Sequence, residues 1–187
     1  MAGIRVIAGK AKGRKLKMVP GLSARPIGDR VKQALFNILG SDVDGATFLD
    51  LFAGTGSVGI EALSRGAAHA LLLDLDKKAI KTIQENLSIC GLTDHSVVLQ
   101  RDAFTFLQGP LLRSFDIVFI APPQYLNLWS KSLNLLDRRH EWINPDGIVI
   151  VQIDPKEYIE QDLQVFKLYD QRKYGNTLLL FYEKPGE

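Results

Sequence analysis

The sequence predicts an α/β protein built on a mainly parallel, doubly wound sheet. Short apolar runs alternate with amphipathic stretches between residues 46 and 154. The runs read as almost continuously apolar, as strands covered on both faces do. A G-x-G-x-x-G turn, made by Gly54, Gly56 and Gly59, joins the first of these runs to the next amphipathic stretch.

The elements follow in order. "IRVIAG" and "RKLKM" flank the turn "GKAKG" and predict a basic β-hairpin. "RPIGDRVKQALFNILG" sets Val31, Ala34, Leu35, Ile38 and Leu39 at helical spacing and stops at Gly40. "ATFLDLF" predicts a strand, "SVGIEALSRGA" a helix ending at Gly66, and "HALLLDLD" a second strand. "KKAIKTIQENLSICG" predicts a helix ending at Gly91, followed by the strand "SVVLQRD" and the short helix "AFTFLQG". "FDIVFIA" predicts the fourth strand, "LNLWSKSLNLLDRR" a helix, "NPDG" a turn and "IVIVQID" a further strand. "QVFKLYDQRKYG" and "NTLLLFYEK" predict two long strands around a Gly-Asn turn, an antiparallel hairpin.

Composition narrows the function. The 187 residues are 46% hydrophobic and 24% charged, which fits one globular domain and excludes a disordered chain. No apolar run approaches the roughly 20 residues of a membrane span, and the start has no signal-peptide core. Cys90 is the sole cysteine, so no internal disulfide forms; the expected setting is reducing and cytoplasmic, with Cys90 a small apolar packing residue. One cysteine and the scattered His69, His95 and His140 make no metal or nucleophile constellation.

The net charge of +2 hides an asymmetry. Residues 1–32 carry nine Lys or Arg against one acid, a net of +8, while the other 155 residues carry 14 against 20, a net of −6. A structured basic arm on an acidic body suits a nucleic-acid ligand, because each neutralised phosphate releases counterions. The candidate RNA contacts are Arg5, Lys10, Lys12, Arg14, Lys15, Arg25 and Arg30; a solvated tail that touches nothing is the plainer alternative.

By itself the glycine loop fits NAD, FAD or S-adenosylmethionine, while the absence of G-K-[ST] excludes a P-loop. Asp74 ends the second strand 20 residues after Gly54, where a carboxylate accepts from ribose hydroxyls in either cofactor class. Asp50 separates the two. It ends the first strand, where a pyrophosphate would be repelled but the ammonium and sulfonium of S-adenosylmethionine would be attracted. Capping of the loop is the structural alternative for Asp50. Asp102, with the Ala103 N–H, is placed to contact adenine, and an N-cap for the short helix explains it nearly as well. The fourth strand ends in "APPQY", a Pro-Pro corner that fixes its carbonyls at the carboxyl edge of the sheet.

Together, "RVIAGKAKGRKL", "RPIGDRVKQALFNIL", "FLDLFAGTGSVGIEALSRGA", "LLLDLDKKAI" and "YGNTLLLFYE" resemble the RsmD-type ribosomal RNA methyltransferases, nearly end to end and in order. The resemblance implies a class I methyltransferase Rossmann-like fold: a seven-stranded sheet with an antiparallel last strand, plus an N-terminal β-hairpin extension. It implies one methyltransferase domain over 1–187, with 1–20 the extension and 21–187 the core. It also implies methylation of the exocyclic N2 of a guanine in small-subunit (16S) rRNA, with S-adenosylmethionine as cofactor. Asp50, Ala53, Gly54, Thr55 and Gly56 would then hold the methionine part, Asp74 and Leu75 the ribose side, and Asp102 and Ala103 the adenine. Ala121, Pro122, Pro123, Gln124 and Tyr125 would form the target-amine site, Tyr125 stacking on a flipped guanine. The expected partner is ribosomal RNA or a small-subunit assembly particle, with no membrane and no metal, and the expected state is monomeric.

The chain departs from the family pattern at three places. Ala121 replaces the Asp or Asn of D/N-P-P-[YF], Gln124 is inserted before Tyr125, and Ile27 and Gly28 replace two hydroxyl residues after "RP". Gln124 carries an amide oxygen able to substitute for the missing acceptor. The competing functions are a non-catalytic RNA-binding or ribosome-assembly factor and an amino-methyltransferase with another nucleic-acid target.

Overall fold

The computed structural model describes residues 3–21 and 26–186. Arg25 lies outside the described residues.

Seven strands form one sheet: β1 Thr47–Asp50, β2 His69–Asp74, β3 Ser96–Gln100, β4 Phe115–Ile120, β5 Ile143–Ile153, β6 Lys167–Tyr174 and β7 Thr177–Glu183. Their order is β3-β2-β1-β4-β5-β7-β6. β1 to β5 pair in parallel, and β7 runs antiparallel between β5 and β6. The predicted antiparallel last strand is therefore present, inserted between two others. Strand order reverses between β1 and β4, and the loops leaving those strands meet at the carboxyl edge, where ligands bind in such sheets.

Helices cover both faces. α1 (Asp29–Leu39), α2 (Ser57–Ser64) and α3 (Lys77–Cys90) pack over one face, where Leu35, Phe36, Ile60, Leu63, Ile83 and Leu87 meet Phe48, Ile117, Phe119 and Ile150. α4 (Ala103–Gln108) and α5 (Leu128–Arg138) cover the other, where Phe106, Leu107, Trp129, Leu133 and Leu136 meet Leu49, Val118, Ile120, Val149 and Val151. This alternation along each strand is what burial on two faces requires. Cys90 is half-buried at the end of α3 and packs against the first of these cores.

Two local expectations change. β5 starts at Ile143, earlier than predicted, because "NPDG" stays in the sheet as an irregular stretch: Phe115 pairs Ile143, the register shifts, and Asp146 takes φ 60°. The N-terminal hairpin forms, but its ladder shrinks to one antiparallel bridge, Arg5 to Lys15, framed by Val6 N–H to Arg14 O at 2.9 Å and Leu16 N–H to Ile4 O at 2.9 Å. Four of its backbone amides bond α2 instead. Ile7 and Ala8 donate to the Glu61 carboxylate at 2.9 and 3.1 Å, Lys10 N–H donates to Ser64 O at 2.8 Å, and Ala11 N–H to Ser64 Oγ at 2.9 Å.

Among the described residues, no helix is long and apolar enough to cross a membrane, and no cluster of His, Cys, Asp and Glu is arranged to hold a metal ion.

Candidate active site

The site begins where β1 stops. Asp50 stands beside Leu72 of β2 and Phe119 of β4, so three strand ends adjoin. The loop that follows folds over the end of β2, with Ala53 N–H donating to Leu73 O at 2.8 Å and Gly54 N–H to Asp74 Oδ2 at 2.8 Å. Gly54 and Gly56 have φ 57° and 79°, values that glycine adopts without strain, and Gly56 turns the chain into α2. A Cβ on Gly54 would meet nothing within 4 Å, so the space over the loop is open. Gly59 does something different: a Cβ there would sit 2.8 Å from Leu72 Cδ2, so its glycine lets α2 lie close on β2.

Asp50 is 1% exposed and its Oδ1 has no hydrogen-bond partner among the described residues. Burial raises its pKa from 3.8 to about 7; the backbone amides of Phe52 and Gly59 pull it down, and the Asp74 charge adds to the rise. A buried carboxylate with one oxygen left without a partner among the described residues fits a cationic ligand group and would repel a phosphate. The residues present therefore fit S-adenosylmethionine.

Asp74 accepts from Gly54 N–H through Oδ2 and from Asp76 N–H through Oδ1 at 2.9 Å, which holds its half-buried carboxylate at the loop. Leu75 follows it and is 66% exposed, an apolar surface at the edge of the open space. Asp102 caps α4, its Oδ1 accepting from Thr105 N–H at 2.8 Å and Thr105 Oγ1 at 3.0 Å. The capping alternative is thus realised, and it engages only one of the two carboxylate oxygens among the described residues. Ala103, next in the chain, is buried.

After β4 the Pro-Pro corner crosses the same edge. Ala121 is half-buried, Pro122 buried, and Pro123, Gln124 and Tyr125 exposed. Tyr125 takes φ 61°. The turn after β5 holds it twice, with Tyr125 N–H donating to Glu157 Oε1 at 2.7 Å and its hydroxyl to Asp154 Oδ2 at 2.7 Å. The Asp154 bond keeps the phenol protonated to higher pH than usual. The ring remains 62% exposed.

The hairpin carries exposed Arg5, Lys10, Lys12, Arg14 and Lys15, and Arg30 is exposed at the start of α1. Arg5 is paired with Asp29 at 3.1 Å.

Sequence reasoning missed the anchors beneath the hairpin. Glu61 and Lys32 are both fully buried, 3.5 Å apart, with Arg65 on Glu61 at 2.8 Å and the Lys32 ammonium donating to Arg5 O at 2.7 Å. Burial lowers the Lys32 pKa, against the pull of Glu61 and Asp29. Asn86, also fully buried, accepts from Lys17 N–H at 2.7 Å and donates to Lys17 O at 3.1 Å and Thr55 O at 2.9 Å. A lone acid in the otherwise apolar "VGIEAL" was the available signal for Glu61.

Residues 4–183 match the family model described as Conserved hypothetical protein 95. The chain belongs to this family. Among its relatives, Ribosomal RNA small subunit methyltransferase D of Haemophilus influenzae is 37% identical over 153 residues, covering 81% of this chain and 79% of that protein. YlbH of Bacillus subtilis is 38% identical over 185 residues, covering 98% of this chain and all of YlbH. The solved structure of yhhF from Escherichia coli superposes with a TM-score of 0.88 at 30% identity, covering 100% of both chains. The expected class I methyltransferase fold and the RsmD-type resemblance are borne out in this Conserved hypothetical protein 95 member.

Proposed function

We propose that this protein methylates the exocyclic N2 of a guanine in small-subunit (16S) ribosomal RNA. It is an S-adenosylmethionine-dependent methyltransferase, as its family relatives indicate. The observation that carries the cofactor assignment is the orphaned oxygen of buried Asp50 beside an open glycine loop.

When bound, the cofactor supplies an electrophilic methyl group on a sulfonium. Asp50 holds its cationic amino-acid end; Ala53, Gly54, Thr55 and Gly56 shape the cradle. Asp74 keeps lone pairs for the ribose hydroxyls, Leu75 lies against the nucleoside, and Asp102 with Ala103 meets the adenine. At the corner, Pro122 presents a carbonyl to the target amine and Tyr125 offers its exposed ring for stacking, worth about 1–3 kcal/mol per base. With the amine so held, its lone pair would be aimed at the methyl group that the cofactor would supply, and the proton the nitrogen loses would pass to water. Alignment carries most of the barrier reduction in such a displacement.

Residues 1–20 act as an RNA-facing extension on the core of 21–187. The chain works as a monomer in the cytoplasm, on ribosomal RNA or a small-subunit particle. Ala121 favours one alternative, an RNA-binding factor that keeps the pocket without turnover.

Transfer of labelled methyl from S-adenosylmethionine to unmodified small-subunit RNA or particles, mapped to guanine N2, is the expected result. Binding of RNA and cofactor with no transfer would establish the alternative. Charge reversal at Lys12, Arg14 and Lys15 should weaken RNA binding and reduce the salt slope by about one for each phosphate no longer neutralised. An unchanged slope would remove the arm from recognition.

A further inference from the structure

Four buried side-chain atoms lack a hydrogen-bond partner among the described residues: Asp29 Oδ1, Asp50 Oδ1, Arg65 Nη2 and Gln152 Oε1. Asp29 and Arg65 are engaged elsewhere in ion pairs, with Arg5 and Glu61. Asp50 faces the cofactor cradle. Gln152 remains. A buried carbonyl oxygen left without a donor is costly, and it calls for a donor from water, an ion or a ligand.

Its position is informative. β4 and β5 run parallel with Phe119 beside Ile150 and Ile120 beside Val151. One further step in that register sets Ala121 next to Gln152, on strands about 5 Å apart. Both lie on the same face. Phe119, Ile150 and Leu179, the β7 neighbour of Gln152, belong to one core, and Ala121 packs against that core. Asp50, Phe119 and Ile150 form one row across the carboxyl edge, and Ala121 and Gln152 begin the next.

We infer that Gln152 Oε1 is the acceptor that holds the exocyclic amine of the target base, in place of the side-chain oxygen that Ala121 lacks. The inference rests on the amine-methylation reading of the same site. An aromatic amine offers two N–H donors, and its lone pair is delocalised into the ring. The Pro122 carbonyl takes one hydrogen and the Gln152 amide oxygen the other, drawing the nitrogen towards tetrahedral geometry with its lone pair directed at the methyl carbon. Gln124, the expected substitute, is exposed in the turn beyond the corner, whereas Gln152 lies one residue past the last recorded pair of β4 with β5, Ile120 with Val151, on a central strand.

The test uses the full chain with labelled S-adenosylmethionine and the unmodified RNA or particle. Gln152→Leu keeps the volume and removes the acceptor. It should lower kcat about 10- to 100-fold, the effect of one missing transition-state hydrogen bond, with cofactor affinity within about twofold of wild type. Its melting temperature should be unchanged or higher, because an apolar replacement relieves an unsatisfied group. Gln152→Glu retains an acceptor and should keep most of the rate. Wild-type rate in Gln152→Leu, an equal loss in both variants, or a loss that tracks weaker cofactor binding or a lower melting temperature each overturns the assignment. If the wild-type chain itself transfers nothing, the methylation reading fails first and takes this inference with it.

Discussion

Asp50→Asn is expected to strengthen the free protein and cripple cofactor binding at once. In the fold the Asp50 carboxyl has its pKa raised from 3.8 to about 7 by burial. Between those two values the folded state holds a proton that the unfolded chain has lost, so stability falls as pH rises from about 4 to about 7 and stays reduced above it. The full gap corresponds to about 4 kcal/mol. A neutral amide escapes that burden, so at pH 8 the free variant should melt at a higher temperature than wild type and lose the pH dependence. Binding moves in the opposite direction. Removing one partner of a buried charge pair costs about 2–5 kcal/mol, so S-adenosylmethionine affinity at pH 8 should fall about 100-fold. In the wild type, a bound cation beside Asp50 expels its proton. Affinity should therefore drop about tenfold per pH unit below pH 7 and level off above it. Calorimetry across pH 5.5 to 8.5 reads both effects; a wild-type affinity flat over that range would place the cation elsewhere.

Glu61→Ala carries the largest expected loss of stability. It strands Lys32 without its buried carboxylate, unpairs Arg65 and frees the Ile7 and Ala8 amides. Breaking a buried ion pair from one side costs about 3–5 kcal/mol, roughly a fifth or more of the stability of an ordinary domain. Denaturant unfolding measures the loss. Hydrogen exchange at Ile7 and Ala8 should report opening of the hairpin before the sheet. Glu61→Gln, which keeps an acceptor for one amide but no charge for Lys32, should fall between. A loss under about 1 kcal/mol for Glu61→Ala would mean that water satisfies these groups.

Most of the fold was legible in the chain because its signals are local. Apolar runs, Gly40 and Gly91 at helix ends and the Gly-Asn turn at 175–176 report structure made within a few residues. The irregular start of β5 was not legible, since "NPDG" is turn chemistry held in the sheet by pairing with a distant strand. The hairpin ladder was overestimated for a similar reason. Its amides found better acceptors on α2, 53 or 54 residues away. Asp50, Asp74 and the Pro-Pro corner could be placed at the ends of their strands because strand ends and glycines announce themselves. The surroundings of Gln152 and Asn86 and the Asp154–Glu157 turn that holds Tyr125 could not, because they depend on which segments become neighbours across the sheet.

Asn86 joins two events that would otherwise be independent. One carboxamide grips the hairpin at Lys17 and the glycine loop at Thr55. With RNA on the hairpin and the cofactor on the loop, as proposed above, this shared carboxamide would couple the two. By linkage, the factor by which RNA tightens the cofactor equals the factor by which the cofactor tightens RNA. Asn86→Leu should bring both factors towards one, measured by titrating each ligand with and without the other. Coupling of that kind would make the enzyme retain its methyl donor best when the RNA to receive it is already in hand.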